Sequence, residues 1–177
     1  TVSGLLERSL VSSFGKAGRG VLWVPLRKES GAGARAILQN SLTDADMERT
    51  VRVVEPASQM DLRSDRYVMG VEGSIVSDDL KWKNIAYALD GNAQPFLSLM
   101  GFDSLESIYG GEVMEGLVDH LAAVKRNGGV FVGLTSPTSR STARLADLAT
   151  VHLRVERIGG TVVLYGIEPF TECFALT

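Results

Sequence analysis

One short apolar segment, residues 96–105 (FLSLMGFDSL), constrains the fold of this chain more than any other stretch. It follows Pro95 and ends in an acid and a hydroxyl, Asp103 and Ser104. A short apolar run without polar alternation is typical of a strand that is buried on both faces of a parallel sheet. Open α/β sheets bind ligands at the carboxyl ends of such strands, so Asp103 is a candidate binding residue. The alternative is that the Asp-Ser pair only caps a following helix.

The composition is that of an ordinary globular protein of one domain. The 177 residues can bury a sizeable core, and 45% of them are hydrophobic and 22% charged. A net charge of -3 gives no electrostatic argument for binding nucleic acid or an acidic membrane surface. No apolar run approaches the ~20 residues of a membrane span. Cys173 has no second cysteine to pair with, so we expect a cytoplasmic protein.

Predicted strands and helices alternate along most of the chain. Apolar runs predict strands at residues 21–26, 51–55, 67–69, 96–101 and 130–134. Helical periodicity and capping residues predict helices at residues 3–15, 34–40, 77–89, 110–126 and 141–148. This alternation predicts an α/β fold with a mostly parallel sheet and helices on both faces.

A different pattern closes the chain. Residues 150–157 and 161–167 alternate in polarity around Gly159-Gly160, which predicts an antiparallel β-hairpin. Residues 171–176 predict a last strand. We expect the hairpin to join the parallel sheet and make it mixed.

The order of these elements resembles the RecA-like core of the P-loop NTPases, and within it the KaiC-like branch. Residues 99–105 (LMGFDSL) resemble the Walker B strand of that branch, which commonly ends in Asp-Ser-Leu. Residues 145–155 and 162–165, around the double glycine, resemble its closing hairpin. The first helix and strand resemble the helix after the P-loop and the strand that follows. The resemblance implies one RecA/KaiC-like domain over residues 1–177, with a three-layer fold.

The resemblance also implies ATP with magnesium as the ligand. Asp103 would hold the Mg²⁺ that bridges the nucleotide phosphates, with Ser104 beside it. Thr135 would sense the γ-phosphate. Thr1 falls where the hydroxyl residue of the phosphate-binding loop would lie. Glu29 is the candidate catalytic acid that would polarise the attacking water, although it follows the second strand one or two residues late.

The phosphate-binding loop itself does not occur in this sequence. A P-loop needs glycines followed by Lys and then Ser or Thr, and no such run is present. Residues 164–168 (LYGIE) also lack the basic Lys-x-Arg that ring ATPases offer to a neighbour's phosphate, with Arg140 and Arg144 as candidate replacements. Without its first strand, a sheet of this kind would have a gap at its centre unless another strand fills it.

These departures predict little or no ATP hydrolysis, because an arginine finger alone contributes about 10³ to 10⁵ in rate. We therefore expect an assembly or regulatory subunit that forms a homo- or hetero-oligomer with RecA-like subunits. The alternative within the same family is an active but weak ATPase, if a P-loop precedes Thr1.

A second motif predicts a function of another class. Residues 31–36 (GAGARA) fit the form G-x-G-x-x-A with Gly31 and Gly33, and they follow a strand and open a helix. Glu55 ends the next strand, where a ribose-binding acid would lie. Residues 27–30 separate the strand from Gly31, whereas the dinucleotide turn needs its first glycine at the strand end. A dinucleotide-binding enzyme is therefore an alternative, and a purely structural domain that binds no nucleotide is a third.

Three other residues that often act in binding sites are predicted to be structural. With one cysteine and two separated histidines, His120 and His152, the sequence predicts no metal-ligand cluster. Trp82 lies between two lysines, which fits a solvated helix face with one half-buried aromatic better than a base-stacking site.

Overall fold

A computed structural model describes residues 2–27, 36, 38–57, 66–90 and 96–176, with the backbone alone described for residues 2–3, 85–90 and 176. Six α-helices are assigned in these ranges: α1 (Val2–Lys16), α2 (Asp44–Thr50), α3 (Ile75–Asp90), α4 (Phe102–Tyr109), α5 (Leu117–Arg126) and α6 (Thr142–Leu148). The strands are β1 (Val21–Val24), β2 (Val51–Pro56), β3 (Val68–Val71), β4 (Leu97–Gly101), β5 (Val130–Leu134), β6 (His152–Ile158), β7 (Thr161–Glu168) and β8 (Phe174–Leu176). None of the helices in the described part of the chain is both long and apolar enough to cross a membrane.

Five strands form one sheet in the order β3-β2-β1-β4-β5, and all four pairings are parallel. The predicted α/β class with a mostly parallel sheet is therefore confirmed. β1 and β4 lie side by side in the middle, where Val21 pairs with Leu97 and Val24 with Met100. Every residue of these two central strands is buried, as the apolar run at residues 96–101 predicts.

Helices cover both faces of this sheet, because successive side chains of a buried strand point to opposite sides. Val21 and Trp23 of β1 pack on one face with α1 and α2, whereas Leu22 and Val24 pack on the other with α4 and α5. The first cluster also contains Val11, Leu38, Leu42, Met47, Val51, Val53, Leu97 and Leu99. The second also contains Val54, Val71, Met100, Phe102, Leu105, Tyr109 and Leu117. Helices thus lie on both faces of the sheet, as the alternation of elements predicts.

The closing hairpin forms a sheet of its own, so the prediction of a single mixed sheet is wrong. β6, β7 and β8 pair antiparallel in that order, and among the described residues no pairing joins β5 to β6. The hairpin prediction itself is confirmed, with positive φ at both Gly159 and Gly160 in the turn. After β5 the chain continues through α6, and β6 then packs against α1 rather than beside β5.

β5 is consequently an edge strand, although its sequence is typical of a strand buried on both faces. Val130 is 43% exposed and the remaining residues of β5 are exposed or half-buried. Residues 129–134 (GVFVGL) carry no charge and no proline, the residues that usually protect such edges.

The helical region after β4 also differs from the prediction that Gly110-Gly111 opens a helix. Gly110 ends α4 with a φ of 59°, residues Gly110–Met114 form a 3-10 turn, and α5 begins at Leu117. Positive φ suits glycine because it has no Cβ, so the glycine pair separates two helices here.

Candidate functional site

The candidate site lies at the carboxyl end of β4, where the chain turns directly into α4. Gly101 is the N-cap residue of α4 and makes no side-chain capping bond. A Cβ at this position would overlap the backbone of Leu26, just beyond the end of β1. The close approach of the two backbones therefore requires glycine, and it places Asp103 in the first turn of α4 beside the segments that leave β1 and β5.

Three of the predicted site residues meet at this edge. The Asp103 carboxylate is partly exposed and accepts a hydrogen bond from the Ser136 amide at 3.1 Å. Ser104 is buried and donates its hydroxyl hydrogen to the Leu26 carbonyl at 3.1 Å. Thr135 is half-buried and directly precedes Ser136 at the end of β5. The two other candidates, Thr1 and Glu29, lie outside the described residues.

A second acid of α4, Glu106, holds the same loop and was not predicted. Its carboxylate accepts hydrogen bonds from the Ser139 hydroxyl at 2.8 Å, the Ser141 amide at 2.7 Å and the Arg140 amide at 3.3 Å. Burial alone would raise the pKa of Glu106, but these hydrogen bonds outweigh burial and hold the pKa below its ordinary value. The signal in the sequence was the spacing of Asp103 and Glu106, because residues three apart on a helix lie on the same face.

The Arg140 and Arg144 side chains were candidate replacements for a basic finger. Both residues are exposed, and the contact of Arg140 with α4 is made by its backbone amide rather than by its guanidinium. The loop after β5 is thus fixed to α4 by the carboxylates of Asp103 and Glu106.

The end of β1 is held by another buried acid, Glu7 of α1. Its carboxylate accepts hydrogen bonds from the Trp23 indole N–H at 2.8 Å and from the Leu26 amide at 3.2 Å. Sequence reasoning missed Glu7 because the residue lies between Leu6 and Leu10 of an apolar helix face, where a single acid draws no attention. The position of Glu7 on an apolar helix face nevertheless indicates a buried, hydrogen-bonded acid, because a carboxylate buried there needs partners inside the protein.

The carboxylates at this edge are hydrogen-bonded to groups of the protein itself. Asp103, Glu106 and Glu7 each accept hydrogen bonds from the segments that follow β1 or β5. In the described part of the chain, no group of three or more His, Cys, Asp or Glu residues could hold a metal ion. At this edge the geometry provides two half-buried carboxylates, those of Asp103 and Glu106, and the buried carboxylate of Glu7.

The residues of the alternative dinucleotide motif are only partly described. Gly31 and Gly33 lie outside the described residues. Glu55 lies in β2, beside β1, and it is 2% exposed. The strand order 3-2-1-4-5 is that of the first five strands of dinucleotide-binding folds, in which the order reverses between β1 and β4.

Comparisons with known proteins do not assign this geometry to a family. No family model matches the sequence, and no curated protein matches it significantly. The functional interpretation therefore depends on the residues and contacts described above.

Proposed function

We propose that this chain is a RecA/KaiC-like subunit that acts in assembly or regulation and hydrolyses little or no ATP. The observation that carries the proposal is the hydrogen bond between the Asp103 carboxylate and the Ser136 amide. The resemblance assigns this carboxylate to Mg²⁺, yet here it holds the loop after β5, and Glu106 holds the same loop three to five residues further along the chain. At the position that the resemblance gives to the magnesium-binding acid, the Asp103 carboxylate therefore accepts from a backbone amide of the protein itself. This contact fits a nucleotide site that no longer supports hydrolysis.

The divided sheet supports the assembly part of the proposal. β5 is an edge strand without charges among the described strands, and the antiparallel sheet packs against α1 rather than pairing with β5. An edge without protecting charges can pair with a strand of another molecule.

Exposed apolar side chains support the assembly part of the proposal. Val76 and Leu80 are four residues apart on the same face of α3, and both are exposed. Large apolar groups exposed in a group are characteristic of surfaces that associate with another protein.

The test combines nucleotide binding, hydrolysis and mass. A fluorescent ATP analogue is titrated into the protein with Mg²⁺ or with EDTA, phosphate release is measured, and sedimentation velocity gives the oligomeric state. We expect no tight Mg²⁺-dependent binding, no hydrolysis above background, and a defined oligomer at micromolar concentration.

Asp103→Asn is the informative variant, because asparagine keeps an oxygen that can accept from Ser136 but removes the charge that Mg²⁺ needs. We expect it to behave as the wild type does. Tight Mg²⁺-dependent binding that Asp103→Asn abolishes would contradict the degraded-site proposal and support the weak ATPase. A chain that sediments only as a monomer would contradict the assembly role.

The dinucleotide-binding enzyme stays as a second candidate because the strand order favours it. The burial of Glu55 argues against it, because a ribose-binding carboxylate has to be reached by the ligand. Titration with NADH, followed by the fluorescence of the reduced nicotinamide, separates the two candidates. Binding that Glu55→Gln weakens and Asp103→Asn leaves intact would favour the dinucleotide enzyme, whereas the first proposal expects no binding.

A further inference from the structure

An apolar cleft lies on the face of the parallel sheet that carries α3, α4 and α5. α3 packs on β1, whereas α4 packs on β4 and β5, and α5 packs on β5. The helices therefore separate above the boundary between β1 and β4. The cleft between them has a volume of about 510 Å³, and its floor includes Leu22, Met100 and Phe102.

The walls of the cleft are formed mainly by large apolar side chains. Trp82 projects from α3, and the Tyr109 ring lies 6.5 Å from it, tilted by 51°. Leu117 and Ala123 of α5 line the opposite side. The cleft is half open to solvent, so a ligand can reach these side chains.

The polar groups of the inner walls are already bonded to protein partners. The Trp82 indole N–H donates to the Tyr109 hydroxyl at 2.9 Å, and that hydroxyl donates to the Asp78 carboxylate at 3.0 Å. On the other wall, the His120 Nε2 and the Ser98 hydroxyl share a hydrogen bond of 2.7 Å. A polar ligand group that entered here would lose its hydration and find these partners engaged.

The charged groups of the lining balance in sign. Lys83 donates to Asp79 at 2.6 Å on α3, and Asp119 and Arg126 line the side of α5. Two acids and two bases give the cleft no preference for a cation or an anion.

We propose that this cleft binds a neutral, predominantly apolar small molecule. Its volume lies within the range of about 300 to 1,000 Å³ that small-molecule pockets occupy. Its floor includes Leu22 of β1 and Met100 of β4, so it lies over the boundary between the two central strands. The site is separate from the carboxyl edge around Asp103, and the inference does not depend on the function proposed there.

The test uses the neutral fluorescent probe N-phenyl-1-naphthylamine and two variants of α5. Ala123→Phe adds a ring at a lining position, whereas Ala122→Phe adds the same ring at an exposed neighbouring position outside the lining. We expect saturable one-site binding to the wild type, equal binding to Ala122→Phe, and at least about tenfold weaker binding to Ala123→Phe. Equal binding to all three proteins, or no saturable binding, would overturn the proposal.

A measurement on the wild type keeps the proposal testable even if Ala123→Phe fails to fold. The sequence has two tryptophans, and their indole N–H groups lie on opposite faces of the sheet: Trp82 beside the cleft, and Trp23 bonded to Glu7. In ¹H–¹⁵N spectra, the probe is expected to shift the Trp82 indole signal and leave the Trp23 signal in place. A shift of the Trp23 signal alone would refute the site.

Discussion

Replacing Asp78 with alanine is expected to lower the free energy of unfolding strongly, because this buried carboxylate organises the entry to α3. Both of its oxygens accept from the Glu72 amide, at 2.9 and 3.0 Å, and one also accepts from the Gly73 amide at 3.0 Å. The Tyr109 hydroxyl donates at 3.0 Å, and the Lys81 ammonium lies 3.3 Å away. The side chain itself has no exposed surface.

The magnitude follows from these contacts. Hydrogen bonds to charged groups contribute about 1.5 to 3 kcal/mol each, and their effects are not additive within one network. Removing one partner of a buried ionic network costs about 3 to 5 kcal/mol, because the remaining donors stay buried without an acceptor. We therefore expect Asp78→Ala to lose about 3 to 5 kcal/mol, a large share of the ~5 to 15 kcal/mol that stabilises a typical domain.

The assay is urea unfolding at pH 7, followed by circular dichroism, with Asp79→Ala as the matched control. Asp79 is the next residue of the same helix, its side chain is 53% exposed, and its partner is Lys83 on the surface. We expect Asp79→Ala to change the free energy of unfolding by less than about 1 kcal/mol. Equal effects of the two substitutions would refute the assignment of Asp78 as the organising residue.

The pH dependence gives an independent check on the same carboxylate. Burial alone raises the pKa of Asp78, but the amides of Glu72 and Gly73, with Tyr109 and Lys81, lower it more, so the pKa lies below its ordinary value of 3.8. The unfolded chain thus takes up this proton first, and the stability from the carboxylate is present above about pH 4 and lost below it. The stability difference between the wild type and Asp78→Asn should shrink as the pH falls below 4.

Two further substitutions test the packing of the sheet and of its helices. Gly101→Ala is expected to lower the free energy of unfolding by at least about 3 kcal/mol or to prevent folding, because the added Cβ overlaps the Leu26 backbone. Gly111→Ala is the control, because its Cβ meets no atom within 4 Å. In urea, its free energy of unfolding should lie within about 0.5 kcal/mol of the wild type. Similar midpoints for the two would contradict the close approach. Burial lowers the pKa of His120 below 6.5, so the unfolded chain is protonated first and stability declines as the pH falls through this range. Between pH 7.5 and 5.5, His120→Gln should therefore lose less stability than the wild type, and equal losses would show that His120 does not contribute.

The local sequence pattern predicted the strands well, because buried strands are rich in apolar residue types. Residues 96–101 are apolar and lie in the middle of the sheet, and the double glycine at 159–160 turns the hairpin. The start of α4 has no comparable signal in the sequence, because its N-cap residue, Gly101, has no side chain that could form a capping hydrogen bond. Asp103 was therefore assigned to the end of a strand, although it lies in the first helical turn.

The contacts that shape the candidate site depend on tertiary structure and could not be predicted. Asp103 and Ser104 were singled out, but their partners lie 33 and 78 residues away in sequence. The position of β5 at the edge was also hidden, since its residues are as apolar as those of a central strand. The order of strands in a sheet depends on contacts along the whole chain. The pattern of apolar residues in one segment does not indicate which strands will lie beside it.

The outer side of β5 has a practical consequence for anyone who purifies this protein. Its amide and carbonyl groups face no described strand, and no lysine, glutamate or proline of β5 obstructs an incoming chain. Such an edge can template pairing with another molecule, and aggregation then proceeds by strand addition. We expect storage at high concentration to favour this reaction, and a lysine at Val130, which is 43% exposed, to slow it.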